Sequence, residues 1–390
     1  MGKKITVKKG NKTYRGTNGK DTIEIVAKAG NKTNIIALGG NDIIKVRGGS
    51  DHTIDAGDGS DKLYVYAGKV KKATLGKGND IVSVTGGTLK SVNLGAGKNK
   101  ITITGGTVST VTGGSGTDII NVSKQKKITI KAGNGNNEVT INGINSGYFS
   151  AVSRGIVLTG NAEDTITINK GGYYKISTDR GNDKVNINGG TNYVNTGSGN
   201  DQAIVKSKYS NAVAGDAGND TITLKGSSYS NVIYGGDGND TIIIKNNNMD
   251  PELANYVEGG AGNDTYHIYN PNTGLLLYNG SAAANDKDVI NFHCSQYDIK
   301  YLDYYALNDT LVINGRIYIG GISSIDKVKV TSGSAVYEYS ANEVLAISNY
   351  KYSDLNLDAY CTEFAVNFIK VFADNGVTDE IARRMGYKGK

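Results

Sequence analysis

The stretch Gly235-Gly236-Asp237-Gly238-Asn239-Asp240-Thr241-Ile242 decides the fold, because similar stretches recur through the first two thirds of the chain. Clear further copies run from Gly259 to Tyr266 and from Gly113 to Ile120. Each copy is a glycine-rich loop that ends in an acidic or amide residue and is followed by alternating aliphatic residues. Alignment gives thirteen copies, whose final loop residues are Asp21, Asp42, Asp61, Asp80, Asn99, Asp118, Asn137, Asp164, Asp183, Asp201, Asp220, Asp240 and Asp264.

The spacing of the copies predicts a coiled repeat of about 19 residues. Two longer intervals place insertions within residues 142–158 and 245–257. Each copy predicts a loop, a strand, a second turn and a second strand. One such coil cannot bury its own apolar face, so coils must stack with their aliphatic residues in continuous ladders. The predicted fold class is all-β, a right-handed parallel β-roll or β-solenoid of about thirteen coils.

The chain divides by pattern into four predicted segments. Residues 1–15 form an N-terminal cap that is rich in lysine, and residues 16–269 hold the repeat array. Residues 270–350 form a β-rich C-terminal region in which the glycines thin out. Residues 351–390 form a helical tail, because apolar residues recur there at helical spacing, at Leu357, Cys361, Phe364, Ala365, Phe368 and Phe372.

Composition excludes several classes of protein. Glycine accounts for 54 of the 390 residues but proline for only 2, which fits neither collagen nor a proline-rich linker. The sequence contains no apolar run long enough for a transmembrane segment, and no apolar segment of a secretory signal peptide follows the basic N-terminus. The two cysteines, Cys294 and Cys361, leave both their pairing and the redox compartment open.

The loops carry the candidate chemistry. Glycine permits sharp turns that leave backbone carbonyls free, and the final aspartate adds a carboxylate, so two stacked loops offer the oxygen ligands that Ca²⁺ prefers. Asn99 and Asn137 carry no charge, so the sites that share them should be weak or empty. The alternative is that the loops are only tight corners with asparagine ladders and need no ion. The candidate calcium ligands are Asp21, Asp42, Asp61, Asp80, Asp118, Asp164, Asp183, Asp201, Asp220, Asp240 and Asp264, with Gly235, Gly236, Gly238, Gly259, Gly260 and Gly262 in the best-formed loops.

Residues 16–266 resemble the RTX family, whose Gly-Gly-x-Gly-x-Asp repeats form a calcium-binding parallel β-helix. The resemblance implies a β-roll with Ca²⁺ between successive loops, folding on calcium binding, and export by a type I secretion system that reads an uncleaved C-terminal signal. It therefore implies an extracellular or cell-surface location. This sequence differs from the family in having loops at one edge only, in its basic pI near 8.9, and in loops that lack one of the glycines.

Other functions find little support in the sequence. The three histidines, His52, His267 and His293, are far apart in sequence and cannot form a zinc-protease motif. Neither a Gly-x-Ser-x-Gly elbow nor a P-loop occurs, so no catalytic residue is predicted and the chain is expected not to be an enzyme. No nucleic-acid motif is present and no nucleic-acid partner is expected. The RTX ice-binding adhesins align threonines at the third loop position, which here holds mixed residues that include Lys77 and Arg180.

The sequence therefore indicates two candidate functions. The first is a non-enzymatic, secreted or surface-associated calcium-binding protein with a structural or adhesive role and with cell-surface or matrix contacts. The alternative is a carrier, secretion and folding module of a toxin or hydrolase system that acts through a partner chain docked on residues 270–390.

Overall fold

The computed structural model describes residues 2–26, 32–143, 154–226, 231–245, 254–279, 286–306 and 309–351. The chain divides into two compact units, unit 1 (residues 1–190) and unit 2 (residues 191–390). The predicted fold class is confirmed, since the protein is a parallel β-solenoid of about 13 turns. The predicted helical tail lies outside the described residues, apart from Lys351.

In unit 1, each coil contributes one strand to each of two parallel sheets. Odd-numbered strands follow a glycine loop and form sheet A, and even-numbered strands precede the next loop and form sheet B. The strands are β1 (Lys4–Val7), β2 (Thr13–Thr17), β3 (Thr22–Ile25), β4 (Asn34–Leu38), β5 (Ile43–Arg47), β6 (His52–Asp55), β7 (Lys62–Ala67), β8 (Lys69–Thr74), β9 (Ile81–Val84), β10 (Thr88–Ala96), β11 (Lys100–Ile103), β12 (Thr107–Ser115), β13 (Ile119–Ser123), β14 (Lys127–Asn134), β15 (Glu138–Asn142), β16 (Arg154–Thr159), β17 (Thr165–Ile168), β18 (Tyr173–Ser177) and β19 (Lys184–Ile187).

The stacking in unit 1 is residue for residue. Val82 of β9 pairs with Ile101 of β11, which pairs with Ile120 of β13. Alternate side chains of a strand point to opposite faces, so every second aliphatic residue enters the space between the sheets. Side chains at these inward positions are at most 1% exposed, at Val82, Val84, Ile101, Ile103, Ile120 and Val122. The predicted aliphatic ladders are therefore confirmed for this unit.

Unit 2 repeats the two-sheet arrangement. Sheet A holds β21, β23, β25, β27, β29, β33 and β34, and sheet B holds the remaining strands. The strands are β20 (Thr191–Ser198), β21 (Gln202–Lys206), β22 (Asn211–Ala217), β23 (Thr221–Lys225), β24 (Val232–Asp237), β25 (Thr241–Lys245), β26 (Asn255–Ala261), β27 (Thr265–Ile268), β28 (Leu275–Tyr278), β29 (Asp288–Phe292), β30 (Leu302–Tyr305), β31 (Thr310–Ile313), β32 (Ile317–Gly320), β33 (Ile325–Ser332), β34 (Ala335–Ser340) and β35 (Asn349–Lys351).

The end of unit 2 leaves the parallel pattern. In sheet A, β34 runs antiparallel to β33, and in sheet B, β30, β31 and β32 form an antiparallel meander. The 3-10 turns Gln296–Asp298 and Ile322–Ser324 lie here. The helix α1 (Ala341–Ile347) was not predicted, although Ser340 and Glu343 form a capping box that marks its start.

The edge opposite the glycine loops differs between the units. In unit 1 its buried positions hold aliphatic residues such as Leu89 and Val108. In unit 2 this edge holds a buried ladder of asparagines, in which each side-chain amide donates to the Oδ1 of the next at 2.8–3.1 Å. The members are Asn192, Asn211, Asn231 and Asn255. This ladder satisfies polar groups where the second turns of unit 2 are longer.

Candidate metal centre

The final loop residues form a buried row in each unit. In each unit, the Oδ1 of every row aspartate after the first accepts a hydrogen bond from the backbone N–H of the row residue in the preceding coil, as Asp61 does from Asp42 at 2.7 Å. The same bond joins Asp240 to the N–H of Asp220 and Asp264 to that of Asp240, each at 2.8 Å. The aspartates are at most 3% exposed, although charged side chains are rarely buried without a partner. The predicted site residues are thus brought together, one above the other, as Asp21, Asp42, Asp61, Asp80, Asp118, Asp164 and Asp183 in unit 1 and as Asp201, Asp220, Asp240 and Asp264 in unit 2.

The second carboxylate oxygen of most row residues faces no donor. Among the described residues, buried Oδ2 atoms without a hydrogen-bond partner occur at Asp42, Asp61, Asp80, Asp118, Asp220, Asp240 and Asp264. An unpaired buried carboxylate oxygen costs considerable free energy. A cation is the group that would satisfy a whole column of such oxygens.

Asn137 reveals what lies opposite this second oxygen. Its Oδ1 accepts from the N–H of Asp118 at 3.0 Å, as the aspartates do, so its Nδ2 takes the place of Oδ2. Nδ2 donates to the carbonyl oxygens of Gly133 at 3.0 Å and Gly135 at 2.6 Å, the fourth and second residues before it. In an aspartate loop an oxygen stands where this donor stands, facing carbonyl oxygens. Such a set of oxygens is stabilised by a cation between them or, when no cation is bound, by a proton on the carboxyl.

Glycine is required beside the carboxylates where the coils approach most closely. A Cβ added to Gly215 would clash with Asp220 Oδ2 and with the carbonyl oxygen of Gly235 in the next coil. Gly235 bears the same relation to Asp240 Oδ2 and to the carbonyl of Gly259. A carboxylate oxygen and a carbonyl oxygen thus share a small space that any side chain would fill.

The loop glycines also meet a conformational requirement. Gly238 and Gly262 have φ of 130° and 121°, which side chains rarely adopt, and a Cβ on Gly262 would strike the carbonyl oxygen of Gly238. Gly260 is in the same position with respect to Gly236. All six predicted loop glycines therefore lie in the loops that surround the row.

The row carboxyls have raised pKa values. Burial raises the pKa of Asp42, Asp61, Asp80, Asp118 and Asp220 to about 6. Burial, reinforced by neighbouring carboxylates, raises the pKa of Asp240 to about 8 and that of Asp264 to about 7. Without a cation, the row therefore resists carrying its full negative charge at neutral pH.

The residue five positions before the row residue divides the loops into groups. It is glycine before Asp118, Asp220, Asp240 and Asp264, which leaves the carboxylate space open. It is threonine before Asp164 and Asp183, whose hydroxyl donates a hydrogen bond that lowers the raised pKa of the carboxyl. It is alanine or leucine before Asp42, Asp61 and Asp80. The open loops offer a cation the most room.

The carboxylate of Asp21, the first aspartate of the row, already accepts hydrogen bonds from protein donors. The carboxylate of Asp21 accepts hydrogen bonds from the N–H of Lys3 and from both the N–H (2.6 Å) and the hydroxyl (3.0 Å) of Thr17. Although burial alone would raise it, these donors lower the pKa of Asp21. Asp21 was predicted as a ligand like the others, but its oxygens already have partners.

Asp288 continues the row beyond the thirteen predicted copies. Its Oδ1 accepts from the N–H of Asp264 at 2.6 Å, and its Oδ2 accepts from Asn279 Nδ2 at 2.8 Å. The sequence signal was the alternation Val289-Ile290-Asn291-Phe292 after an aspartate that lies 24 residues beyond Asp264. Both oxygens of this last row residue thus accept hydrogen bonds from protein donors, as those of Asp21 do.

A second, exposed row lies one residue before the first. Here the side chain accepts from the N–H of the next coil: Asn219 Oδ1 accepts from Asn239 at 2.7 Å, and Asn239 Oδ1 accepts from Asn263 at 2.7 Å. The asparagine ladder that the sequence offered as an alternative to calcium therefore exists, but beside the aspartate row and not in place of it.

The donor set fits Ca²⁺. Within the described ranges, no group of three or more His, Cys, Asp or Glu side chains could hold a metal ion. A site in the row therefore needs backbone carbonyls in addition to carboxylates, and oxygen-only sets of six to eight ligands suit calcium.

Comparison with known proteins agrees with this chemistry. The model of the RTX calcium-binding nonapeptide repeat matches four copies, at residues 175–203, 223–243 and 254–267. These segments match the RTX calcium-binding repeat that the sequence analysis predicted. RTX repeats bind Ca²⁺, and Ca²⁺ is therefore the cofactor that these repeats indicate.

A solved structure shares the fold. It is described as a hyperactive, Ca²⁺-dependent, β-helical antifreeze protein from an Antarctic bacterium. It is 20% identical, with a TM-score of 0.52, and the alignment covers 87% of this chain and 94% of that one. No curated protein sequence matches this chain.

Three further predictions from the sequence concern membrane helices, histidines and cysteines. Among the described residues, no helix is long and apolar enough to cross a membrane. His267 and His293, which are far apart in sequence, lie together in the fold, since His267 Nδ1 is 2.8 Å from His293 Nε2 and Tyr269 stacks on His293. They meet because β27 and β29 are neighbours in sheet A. Cys294 is a free thiol, and Cys361 lies outside the described residues.

Proposed function

We propose that this RTX repeat protein is a non-enzymatic, secreted or surface-associated protein that folds when calcium enters its loops and that acts in a structural or adhesive role. The observation that carries the proposal is the row of buried carboxylate oxygens without donors, set opposite the loop carbonyls that Asn137 identifies. Calcium converts this arrangement from a repulsive one into a ligand set.

The proposed ligands are the row carboxylates together with backbone carbonyls of the glycine loops. The strongest sites lie in unit 2 along Asp220, Asp240 and Asp264, where consecutive loops keep glycine beside the carboxylate. In unit 1, Asn99 and Asn137 interrupt the row. Asn137 already satisfies its loop carbonyls with its own amide, so we place no calcium against its side chain.

Because calcium binding is coupled to folding, the protein is folded or unfolded according to the calcium concentration. Each coil is stabilised by its neighbours. Repulsion among carboxylates in one coil therefore also lowers the stability of the adjacent coils. A metal that binds the folded state alone stabilises it in proportion to the logarithm of the metal concentration. Extracellular calcium modules bind at roughly 0.1–1 mM. At such affinities the loops fill outside a cell and stay empty in the cytosol.

The export proposal rests on the RTX resemblance and on the C-terminal segment 351–390. It is tested by expressing the full chain in a bacterium that carries a type I exporter, beside a variant with residues 352–390 scrambled. We expect the intact chain in the medium and the scrambled chain in the cells. Equal amounts of both in the medium would contradict a C-terminal signal.

Ice binding is not favoured, although the fold is shared with an antifreeze protein. Third loop positions do align across unit 1, through the bridges Gly39 to Asp58, Asp58 to Lys77 and Lys77 to Ala96. These aligned third loop positions carry an exposed ion pair between Lys77 and Asp58, at 3.7 Å, and not a row of threonines. Clear thermal hysteresis in a solution of the purified protein would contradict this interpretation.

A further inference from the structure

The charge of the chain is divided unevenly between its two units. Residues 1–190 contain 28 Lys and Arg against 14 Asp and Glu, a net charge of +14, whereas residues 191–390 contain 15 against 23, a net charge of −8. Half of the acidic residues of unit 1 belong to the buried row. The outer surface of unit 1 is therefore strongly basic, and such a surface attracts polyanions.

Part of this charge surrounds a groove on sheet B of unit 1. The groove has a volume of about 530 Å³ and crosses four successive coils, from β4 through β6 and β8 to β10. Lys32, Lys69, Lys71 and Lys90 line it, and all four are exposed. Among the described residues, the ion pairs are Arg47 with Glu24, Lys77 with Asp58, and Glu338 with Lys327 and Lys329, so none involves a lysine of the groove.

The groove has a local structural cause. The pairing of β6 with β8 shifts register between His52 and Thr53, and Asp51 adopts a φ of 57°. His52 turns inward, is fully buried, and bonds to the carbonyl oxygen of Gly48 at 2.9 Å. Asp51 and Thr53 lie at this irregularity and line the groove together with lysines of the neighbouring coils.

The geometry points to an acidic, linear polysaccharide as the ligand of this groove. The lysines recur along the stacking direction, where strands lie about 4.8 Å apart, a distance close to the length of one sugar unit in a polysaccharide chain. A polymer with carboxylate or sulfate groups along its length would therefore place charges near the lysines at β4, β8 and β10, whereas the coil of β6 presents Asp51 and Thr53 to its hydroxyl groups. Asp51, Thr53 and Asn34 supply groups that bond to sugar hydroxyls.

The same residues disfavour other polyanions. The carboxylate of Asp51 can accept hydrogen bonds from sugar hydroxyl groups, which the backbone of duplex DNA does not offer. None of the nine described residues that line the groove is aromatic, so the bases of a single-stranded nucleic acid find no stacking platform. Val70 is the one apolar member and is almost fully buried, which leaves no apolar anchor for a lipid surface.

The inference deepens the proposed adhesive role by naming a class of partner, and it rests on that role. The test uses the full chain in a fixed 5 mM CaCl₂ buffer, with oligogalacturonate and a heparin-derived octasaccharide as acidic probes. Dextran is the neutral probe, and a 20-bp DNA duplex and phosphatidylglycerol vesicles represent the other polyanions. The variant Lys71→Glu/Lys90→Glu reverses two groove charges, and Lys126→Glu/Lys170→Glu makes the same charge change at exposed lysines outside the groove.

We expect titration calorimetry to show salt-sensitive binding of at least one acidic oligosaccharide and none of dextran. The groove variant should bind at least about tenfold more weakly and the control variant within about twofold of wild type. Equal weakening in both variants, no oligosaccharide binding, or stronger binding of DNA or vesicles would overturn the inference. If Glu substitutions disturb the fold, as circular dichroism would reveal, Lys71→Gln/Lys90→Gln replaces the groove variant.

The same experiment separates this inference from the proposed function. Circular dichroism with and without calcium tests the calcium-dependent fold, independently of any sugar. A calcium-dependent fold with unchanged sugar binding in the groove variant defeats the polysaccharide inference alone. Groove-dependent binding by a chain that folds equally well in EGTA defeats the calcium proposal alone.

Discussion

Asn137 Nδ2 donates a 2.6 Å hydrogen bond to the carbonyl oxygen of Gly135, in a position where the aspartate loops hold a carboxylate oxygen. One loop type thus satisfies its carbonyls with its own amide, whereas the other faces them with a negative charge. The two side chains have almost the same shape, so the difference between them is chemical. The calcium dependence of each coil should follow from this single choice between Asn and Asp.

The first prediction exchanges this chemistry in the row of unit 2. Asp220→Asn keeps the Oδ1 acceptor for the N–H of Asp201, now at 2.8 Å, and places an amide opposite the loop carbonyls. We expect fewer calcium ions bound and a melting temperature in EGTA several degrees higher, since a buried unpaired acceptor costs about 1–3 kcal/mol. Equilibrium dialysis and thermal melts by circular dichroism measure both effects.

Two controls accompany this variant. Asp220→Ala removes the Oδ1 acceptor as well, so it should lower calcium binding and also lower the melting temperature. Asp237→Asn removes the same charge at an exposed loop position and should change the calcium count little. A lower melting temperature in EGTA for Asp220→Asn than for wild type would count against the role assigned to the second oxygen.

The second prediction makes the reverse exchange in unit 1. Asn137→Asp replaces the amide donor with an oxygen and gives Asp118 and Asp164 a charged neighbour. We expect additional calcium to bind and the metal-free protein to lose about 1–3 kcal/mol of stability. Urea unfolding in EGTA and in calcium measures the difference. An unchanged calcium count in a folded variant would show that the loop lacks the remaining ligands.

The third prediction concerns pH in the absence of calcium. The pKa of Asp240 is raised to about 8 and that of Asp264 to about 7, against 3.8 for an unperturbed carboxyl, chiefly by burial. The folded metal-free state thus binds more protons than the unfolded state, so its stability falls as the pH rises from about 4 to 8. In EGTA the melting temperature should drop by on the order of 10 °C across this range.

Calcium should reverse this dependence, because the ion competes with protons for the same carboxylates. In 10 mM CaCl₂ the melting temperature should hold steady or rise from pH 5 to pH 8. A melting temperature that rises with pH in EGTA would mean that the carboxylates have other partners in the folded state.

The fourth prediction separates two reasons for glycine in the loops, namely the lack of space for a Cβ and the positive φ angle. A Cβ on Gly238 would meet the carbonyl of Gly218 and would also force alanine into a φ of 130°. Gly226 has a φ of 91°, but a Cβ there would find nothing within 4 Å. Gly226→Ala should therefore cost about 1 kcal/mol, whereas Gly238→Ala should cost several times more and weaken calcium binding. Equal costs in urea unfolding would indicate that backbone conformation alone selects glycine.

Most of the fold follows from the repeat in the amino-acid sequence. Regular Gly and Asp positions with alternating aliphatics require a stack of coils, and the row residues from Asp21 to Asp264 follow from their alignment. Sequence could not distinguish the two carboxylate oxygens, since their partners come from different coils. It also missed Asp288, because the glycines that mark a loop are lost there while the stacking persists.

The remaining misses arise from contacts between distant residues. His267 and His293 meet because β27 and β29 are neighbours in sheet A. The long segment between these strands hides this proximity in the sequence. The groove lysines belong to different coils, and each alone resembles an ordinary exposed lysine. The helix α1 is only seven residues long, and its signal is the capping box alone, without a long apolar periodicity.

The most direct test of the central claim is a calcium titration of the full chain followed by far-UV circular dichroism, from EGTA to 10 mM calcium. We predict a weakly structured spectrum in EGTA at pH 8 and a cooperative gain of β signal near millimolar calcium. Asp220→Asn should lower the calcium needed, because one coil no longer depends on the ion. A chain that is fully β in EGTA at pH 8, with a spectrum and melting temperature unaffected by calcium, would contradict calcium-dependent folding.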